Sequence, residues 1–181
     1  DQYLVSSGAV QNRKTAVAMI LANHVLVDEV VVSKAGTFID VANSKIRMKI
    51  KPHNYVSRGA VKLKKGIEEF NINVEGRIGL DVGASTGGFT EVLLEKGIKK
   101  VFSVDVGSNQ MDLKIRNNQN VIVREGLNAR YLKYEDLMEK VDIILIDVSF
   151  ISLCLIFPAI IKVAKADSDW IVLIKPQFEV G

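Results

Sequence analysis

The sequence is poor in soft metal ligands. A single cysteine, Cys154, excludes a disulfide framework and any multi-cysteine metal site. Two histidines, His24 and His53, leave little material for a histidine-based centre. Long apolar runs are missing too. The longest nearly apolar stretch, 151–161, contains Ser152 and Pro158 and is far short of the ~20 residues a membrane-crossing helix needs. The N-terminus is polar, begins at Asp1 and has no signal-peptide pattern, so a reduced cytoplasmic compartment is the expectation. The chain lacks an initiator Met and stops at Gly181 just after a buried-looking strand, so both ends are expected to be trimmed. With no ligand cluster and no metal expected, chemistry falls to carboxylates, lysines and a bound organic cofactor.

What is present suits a folded protein. Of 181 residues, 48% are hydrophobic and 25% charged, which excludes a disordered tail, a collagen-like rod and a low-complexity segment. Charge is uneven. Residues 1–65 carry eleven Lys/Arg against four Asp/Glu, a balance of +7. Residues 66–181 carry thirteen against seventeen, a balance of −4. A basic N-terminal third points to a polyanion-binding module, or else to a solvated basic surface.

Residues 13–22 read as a helix with Asn12 as N-cap, and Val17, Ile20 and Leu21 recur at helical spacing. Runs at 25–27 and 30–32 flank Asp28-Glu29 and read as a hairpin, although Asp-Glu is a poor tight-turn pair. Further strands are expected over 38–41 and 45–50. Pro52-His53-Asn54 marks a boundary, giving a small α+β unit over 1–51 and a second domain over 52–181. In the second domain, 58–70 read as an amphipathic helix. Strands then alternate with helices: strands over 78–82, 101–106, 121–124, 141–147 and 170–175, helices over 87–96, 111–117, 134–140 and 152–164. The strands are continuous Val/Ile/Leu runs, as when both faces are covered. That pattern predicts an α/β, Rossmann-like, doubly wound parallel sheet whose ligand lies beyond the carboxyl ends of the strands.

The strongest motif is Leu80-Asp81-Val82-Gly83-Ala84-Ser85-Thr86-Gly87-Gly88-Phe89-Thr90. It leaves the first sheet strand, passes through a glycine-rich turn and enters a helix. Such a turn lets backbone approach a ligand closely. It is neither G-x-G-x-x-G nor a G-K-[ST] phosphate loop. Asp81 is awkward beside a pyrophosphate and suits an ammonium group, such as that of S-adenosylmethionine (SAM). Asp105 ends the second strand, where an acid takes ribose hydroxyls. The plainer alternative makes Asp81 a turn cap and the glycines mere shape.

Six segments, in order, resemble the TlyA family, whose members are known as hemolysins or as SAM-dependent ribosomal RNA 2′-O-methyltransferases. They are Tyr55-Val56-Ser57-Arg58-Gly59-Ala60-Val61-Lys62-Leu63, the Asp81 to Thr90 turn, Val104-Asp105-Val106-Gly107, Asn128-Ala129-Arg130-Tyr131-Leu132, Asp147-Val148-Ser149-Phe150-Ile151-Ser152-Leu153, and Leu173-Ile174-Lys175-Pro176-Gln177-Phe178-Glu179. The family's catalytic domain is similar to FtsJ-type RNA methyltransferases. The resemblance implies a Lys-Asp-Lys-Glu tetrad. Lys62, Asp147 and Lys175 match its first three members, and the glutamate belongs to a part of the family's chain absent here. The last two strands of the family's sheet are absent as well. The resemblance implies SAM as cofactor, held by Asp81, Gly83, Ala84, Ser85, Thr86, Gly87, Gly88, Phe89, Asp105 and Val106, with Asn128 either contacting adenine or serving a turn. Residues 1–51 are similar to a small RNA-binding domain found in a ribosomal protein and in pseudouridine synthases. Arg13, Lys14 and Lys34 are candidates for phosphate contacts, and Arg58 for RNA contact in the second domain. The acidic Asp28-Glu29 turn departs from that domain's pattern and is expected to weaken RNA contact. The implied partners are ribosomal RNA or ribosomal subunits.

The implied reaction is displacement at the SAM methyl carbon by a ribose 2′-oxygen. A protonated hydroxyl is a poor nucleophile and needs a base or firm orientation. A neighbouring lysine disfavours an ammonium and a carboxylate favours it. The expectation is that Lys175 takes the proton or fixes the oxygen, Asp147 orients Lys175, and Lys62 assists Lys175 or holds a phosphate. Cys154 and Trp170 read as packing residues, and Phe89 as one that packs more often than binds. Two other functional classes compete: a membrane-active hemolysin, which the missing lytic helix opposes, and a non-catalytic RNA-binding module that has kept the cofactor pocket. A nicotinamide dehydrogenase is opposed by Asp81 and the absent G-x-G-x-x-G.

Overall fold

The computed structural model describes residues 1–49 and 55–180. Two compact units divide the chain, 1–54 and 55–181. Residues 50–54 lie outside the described residues. With them lie the Pro52-His53-Asn54 segment, the end of the strand expected over 45–50 and the expected 51/52 boundary.

In the first unit, Asp1 opens α1 (Gln2–Ser6) by accepting from Gln2 N at 2.8 Å. Asn12 caps α2 (Arg13–Leu21), its side chain accepting from Thr15 N at 2.9 Å. Ala16 and Ile20, one turn apart, bury against Leu4, Val10 and Val25. Leu21, counted in the apolar stripe, faces solvent. Strands β1 (Val25–Val27) and β2 (Val30–Val31) form the expected hairpin, and β3 (Ile46–Met48) pairs with the other edge of β1. Asp28 and Glu29 both take positive φ, 49° and 66°, as a mirror-image turn requires. Side chains offset that strain: Asp28 Oδ1 accepts from Lys45 N at 2.7 Å, and Glu29 pairs with Arg47. The strand expected over 38–41 does not form, and Phe38 is fully exposed. Gly36 turns the chain away at φ 83°, and the Asp40 carboxylate takes Ala42 N and the Asn43 amide, which bends the segment instead of pairing it.

The second unit starts with α3 (Gly59–Glu69) and then alternates as the apolar runs predict: β4 (Ile78–Val82), α4 (Gly88–Glu95), β5 (Lys100–Asp105), α5 (Leu113–Arg116), β6 (Val121–Glu125), α6 (Tyr134–Leu137), β7 (Val141–Ile146), α7 (Phe157–Val163), β8 (Ala164–Val172) and α8 (Pro176–Glu179). The five strands are parallel, in the order β6-β5-β4-β7-β8. This is the Rossmann-like sheet, with the reversal of strand order between β4 and β7. Leu80, Val82, Phe102, Val104, Ile144 and Ile146 pack on the α7 face. Val101, Ile143 and Leu145 pack on the α3–α4 face. Alternation between two cores explains why the strands read as unbroken apolar runs.

Two expected elements differ. The helix over 152–164 is instead a 3-10 turn (Leu153–Leu155) followed by α7. Pro158 lacks an N–H and crowds the preceding turn, so it is tolerated only in the first turn of a new helix. Cys154 consequently sits on that 3-10 turn and is exposed, not in the core. The last strand spans 164–172 rather than 170–175, with a register shift opposite Val141 and Ile143. Trp170 does pack, edge-on to Phe157 at 5.8 Å.

A latch of polar contacts closes the amino-terminal ends of the central strands. Arg77 donates to Asn73 O at 2.9 Å and to Asp142 O, and pairs with Asp169 at 2.5 Å. Asp142 in turn accepts from Ile78 N at 2.8 Å and pairs with Lys165 at 2.6 Å.

Candidate active site

The opposite, carboxyl ends of β4, β5 and β7 carry the candidate site. After β4 the chain turns at Gly83 with φ 84°. A Cβ there would stand 2.5 Å from Asp147 O, so only glycine lets the turn approach the end of β7 so closely. At Gly88, the first residue of α4, a Cβ would collide with Ser57 Oγ. That contact seats the segment before α3 against α4. The buried Glu91 carboxylate reinforces it, accepting from Val56 N at 2.7 Å and pairing with Lys114 at 3.1 Å. Tyr55 and Lys64 both engage Glu95, the latter at 2.7 Å.

Two clefts open beside this turn. The first, of about 490 Å³, is lined by Asp105, Val106, Gln110, Asn128 and an apolar wall that includes Leu127 and Ile156. The second, of about 590 Å³, is lined by Arg58, Lys62 and Lys175 together with Ala84, Thr86 and Phe89. Gly83, Ser85, Asp147 and Ser149 belong to both, so the clefts share a wall.

Lys62, Asp147 and Lys175 thus meet in one cleft although they come from α3, the residue after β7 and the residue before α8. Lys175 Nζ donates to Ser149 Oγ at 2.8 Å and lies 2.6 Å from Asp147 Oδ1. The latter contact is an ion pair whose angle is too oblique for a directed hydrogen bond. Lys62 is exposed on α3. Arg58 precedes that helix as its N-cap residue.

The two strand-end acids differ. Asp105 lines the first cleft while accepting from Ser85 N and Gly107 N, each at 2.7 Å. A carboxylate so engaged keeps lone pairs for further donors. Asp81 lines neither cleft. It is fully buried behind the glycine turn; one oxygen accepts from Thr90 Oγ1 at 2.7 Å and the other has no partner. Thr90 Oγ1 also lies 2.7 Å from Ser103 Oγ. Burial pushes the Asp81 pKa up to about 7, opposed by the Thr90 hydrogen bonds and aided by the nearby charges of Asp147 and Asp105.

Of the other predicted cofactor residues, Gly83, Ser85, Val106 and Asn128 line the first cleft, and Ala84, Thr86, Gly88 and Phe89 the second. Gly87 lines neither and packs on Ile115. Asn128 both faces the cleft and serves a turn, accepting from Arg130 N at 3.0 Å. In the first unit, Arg13 pairs with Asp1 at 2.7 Å, while Lys14 and Lys34 are exposed. Sequence reasoning overlooked Ser57, Gln110 and Ser149. Ser57 and Ser149 stood inside quoted motifs beside residues of stronger chemistry. Gln110 carried no signal, because its approach depends on the fold of the loop after β5.

Among the described residues no group of His, Cys, Asp or Glu is arranged to hold a metal ion, and no helix is long and apolar enough to cross a membrane.

Comparison with known proteins agrees with this geometry. The model of the FtsJ-like methyltransferase family matches residues 55–181. The chain is 45% identical to a protein named hemolysin A from Brachyspira hyodysenteriae, over 99% of this chain and 74% of that one. It is 42% identical to the 16S/23S rRNA (cytidine-2′-O)-methyltransferase TlyA of Mycobacterium tuberculosis, over 100% of this chain and 68% of that one. A solved structure described as a hemolysin from Streptococcus thermophilus superposes with a TM-score of 0.75 at 39% identity, covering 98% of this chain and 66% of that one. The chain therefore spans about two thirds to three quarters of the length of these relatives.

Proposed function

Because the chain belongs to the FtsJ-like methyltransferases, and among them to the TlyA family, we propose that it transfers the methyl group of SAM to a ribose 2′-hydroxyl of ribosomal RNA. The observation that carries this reading is the convergence of Lys62, Asp147 and Lys175 in a cleft that shares its wall with the cleft holding Asp105.

The first cleft fits SAM. Asp105 has acceptor capacity for a ribose diol, Asn128 and Gln110 offer amides beside an apolar wall, and the glycine turn leaves room for a main-chain approach. Asp81 supports the turn from behind and leaves one buried oxygen unpartnered. When bound, SAM supplies an electrophilic methyl group.

The residues of the second cleft act on the RNA. Lys175, paired with Asp147 and anchored to Ser149, has N–H groups to spare for the 2′-oxygen. It fixes that oxygen in line and offsets the negative charge that grows as the hydroxyl proton passes to solvent water while the oxygen bonds the methyl carbon. Asp147 keeps Lys175 in place. Lys62 and Arg58 take the phosphates that flank the target ribose. In the first unit Arg13, Lys14 and Lys34 take backbone phosphates further along the RNA. Alignment supplies much of the acceleration in such a site.

The test incubates the full-length protein with radiolabelled SAM and unmodified ribosomal subunits, beside Lys175→Ala. The expected result is label in ribosomal RNA with the parent protein and a loss of about a hundredfold or more in the variant. Full label with Lys175→Ala overturns the role of Lys175. Absence of SAM binding overturns the reading of the turn from Asp81 to Thr90.

A further inference from the structure

Three contacts fasten the segment after β8 to the loop after β7, and they lie within a single turn of chain. Lys175, the residue before α8, engages Asp147 and Ser149. Phe178 packs on Phe150 with ring centroids 5.1 Å apart. Glu179, the last residue of α8, accepts from Ser152 Oγ at 2.7 Å and from Leu153 N at 3.0 Å. Between the first and last contacts stands Pro176, whose ring fixes its backbone at the start of α8. The turn is short and stiff, so where its end is held decides where its beginning points.

We propose that Glu179 is a positioning residue for methyl transfer: by binding the amino-terminal end of the 3-10 turn at Ser152 and Leu153, it sets the placement of Lys175 against Asp147. This deepens the function proposed above and rests on it. The chemistry of the contact favours a carboxylate. Leu153 N begins the 3-10 turn and lacks an intrahelical partner, and the Ser152 hydroxyl oxygen caps the same end by accepting from Cys154 N at 3.2 Å. Both Glu179 oxygens are therefore used in holding the loop, and Glu179 does not itself touch the shared wall of the clefts. What it can change is geometry. The 147–153 loop carries Asp147, Ser149 and Phe150, and the α8 turn carries Lys175, so release of the clamp lets the two sides of the reaction cleft drift apart.

The experiment compares Glu179→Ala, Glu179→Gln and Ser152→Ala with the parent full-length protein. The measurements are kcat and KM for ribosomal RNA under saturating SAM, SAM affinity by calorimetry, and the melting temperature. The expected result for Glu179→Ala is a fall in kcat of about tenfold to a hundredfold, since displacements near one ångström cost that much in aligned sites, with SAM affinity changed less than about threefold. Glu179→Gln keeps one acceptor oxygen and recovers most of the rate. Ser152→Ala, which deletes one of the two contacts, falls between. Parent-like kcat in Glu179→Ala overturns the proposal. So does a loss of SAM affinity and melting temperature that Glu179→Gln fails to relieve, because the residue is then only a fold contact. If the parent protein itself transfers no methyl group, the proposed function fails first, and that outcome is separable from failure of the clamp.

Discussion

Asp147 meets two parts of the site at once. Its carboxylate lies 2.6 Å from the Lys175 ammonium, and its backbone carbonyl occupies the place where a Cβ on residue 83 would come within 2.5 Å. The amine proposed to hold the 2′-oxygen and the turn proposed to receive SAM are thus referenced to one residue. In the proposed reaction, the alignment of oxygen, methyl carbon and sulfur rests on that shared reference.

Asp147→Asn separates charge from shape. The asparagine keeps the backbone contact with the glycine turn but removes the negative charge beside Lys175. Methyl transfer is expected to drop about tenfold to a hundredfold, with SAM affinity changed by less than about threefold. Single-turnover kinetics and calorimetry check this. An equal loss in both measurements would show that Asp147 serves the cofactor cleft alone.

Gly83→Ala tests the close approach. The added methyl group meets the Asp147 carbonyl, and φ of 84° is strained for any side chain. The expected outcome is a destabilisation of about 2 kcal/mol or more with a marked loss of SAM affinity. Urea denaturation and calorimetry read the two effects. Parent-like stability would mean the turn relaxes at little cost.

Asp81 makes stability depend on pH. Its carboxyl titrates near 7 in the folded chain against 3.8 as the ordinary value. Between those values the unfolded state has lost its proton while the folded state retains it, so unfolding releases a proton. Stability therefore falls as pH rises from about 4 to about 7 and is level outside that window, as far as this group is concerned. Asp81→Asn lacks the dependence. Urea melts across the window should show the parent losing up to ~4 kcal/mol relative to the variant. Parallel curves would remove Asp81 from the account.

The hairpin turn invites a substitution that improves two properties. Glu29 holds φ of 66° and draws Arg47 into an exposed pair. Glu29→Gly relieves the strain and frees the arginine. The first unit should melt at a higher temperature. RNA affinity should rise about two- to fivefold, with a salt dependence steeper by about one phosphate contact. Unchanged affinity and slope would place Arg47 outside the RNA-binding surface.

The sheet was legible because its strands are buried on both faces: the runs at 78–82 and 141–146 contain little but Val, Ile, Leu and Gly apart from Asp81 and Asp142. The glycine turn was legible for a related reason, since few backbones tolerate what residue 83 does, whereas Lys62, Asp147 and Lys175 were singled out only through the resemblance to a known family. Local rules misled where tertiary partners decided the outcome. The 38–41 run has strand composition but is bent by Gly36 and by the Asp40 carboxylate, and Cys154 has apolar neighbours yet lies on a turn just before Pro158. The approaches of Gln110 and Ser149 to the clefts were hidden for the same reason, although Ser149 stood inside a quoted motif. Their positions depend on how loops return to the strand ends, and periodicity carries no record of that. Asp81, singled out as a ligand acid with a turn cap as the plainer alternative, is fully buried, lines neither cleft and keeps one oxygen without a partner.

The latch formed by Arg77, Asp142, Lys165 and Asp169 lies at the amino-terminal ends of the strands, and the paired Asp147 and Lys175 of the candidate site lie beyond the carboxyl ends. That polarity gives the fold a form of evolutionary insulation. Substitutions at Asp147 or Lys175 meet none of the latch contacts, so the site can be altered without loosening that end of the sheet. Architecture and reaction are then set by separate contacts, since removing the Lys175 side chain touches none of those made by Arg77 and Asp142.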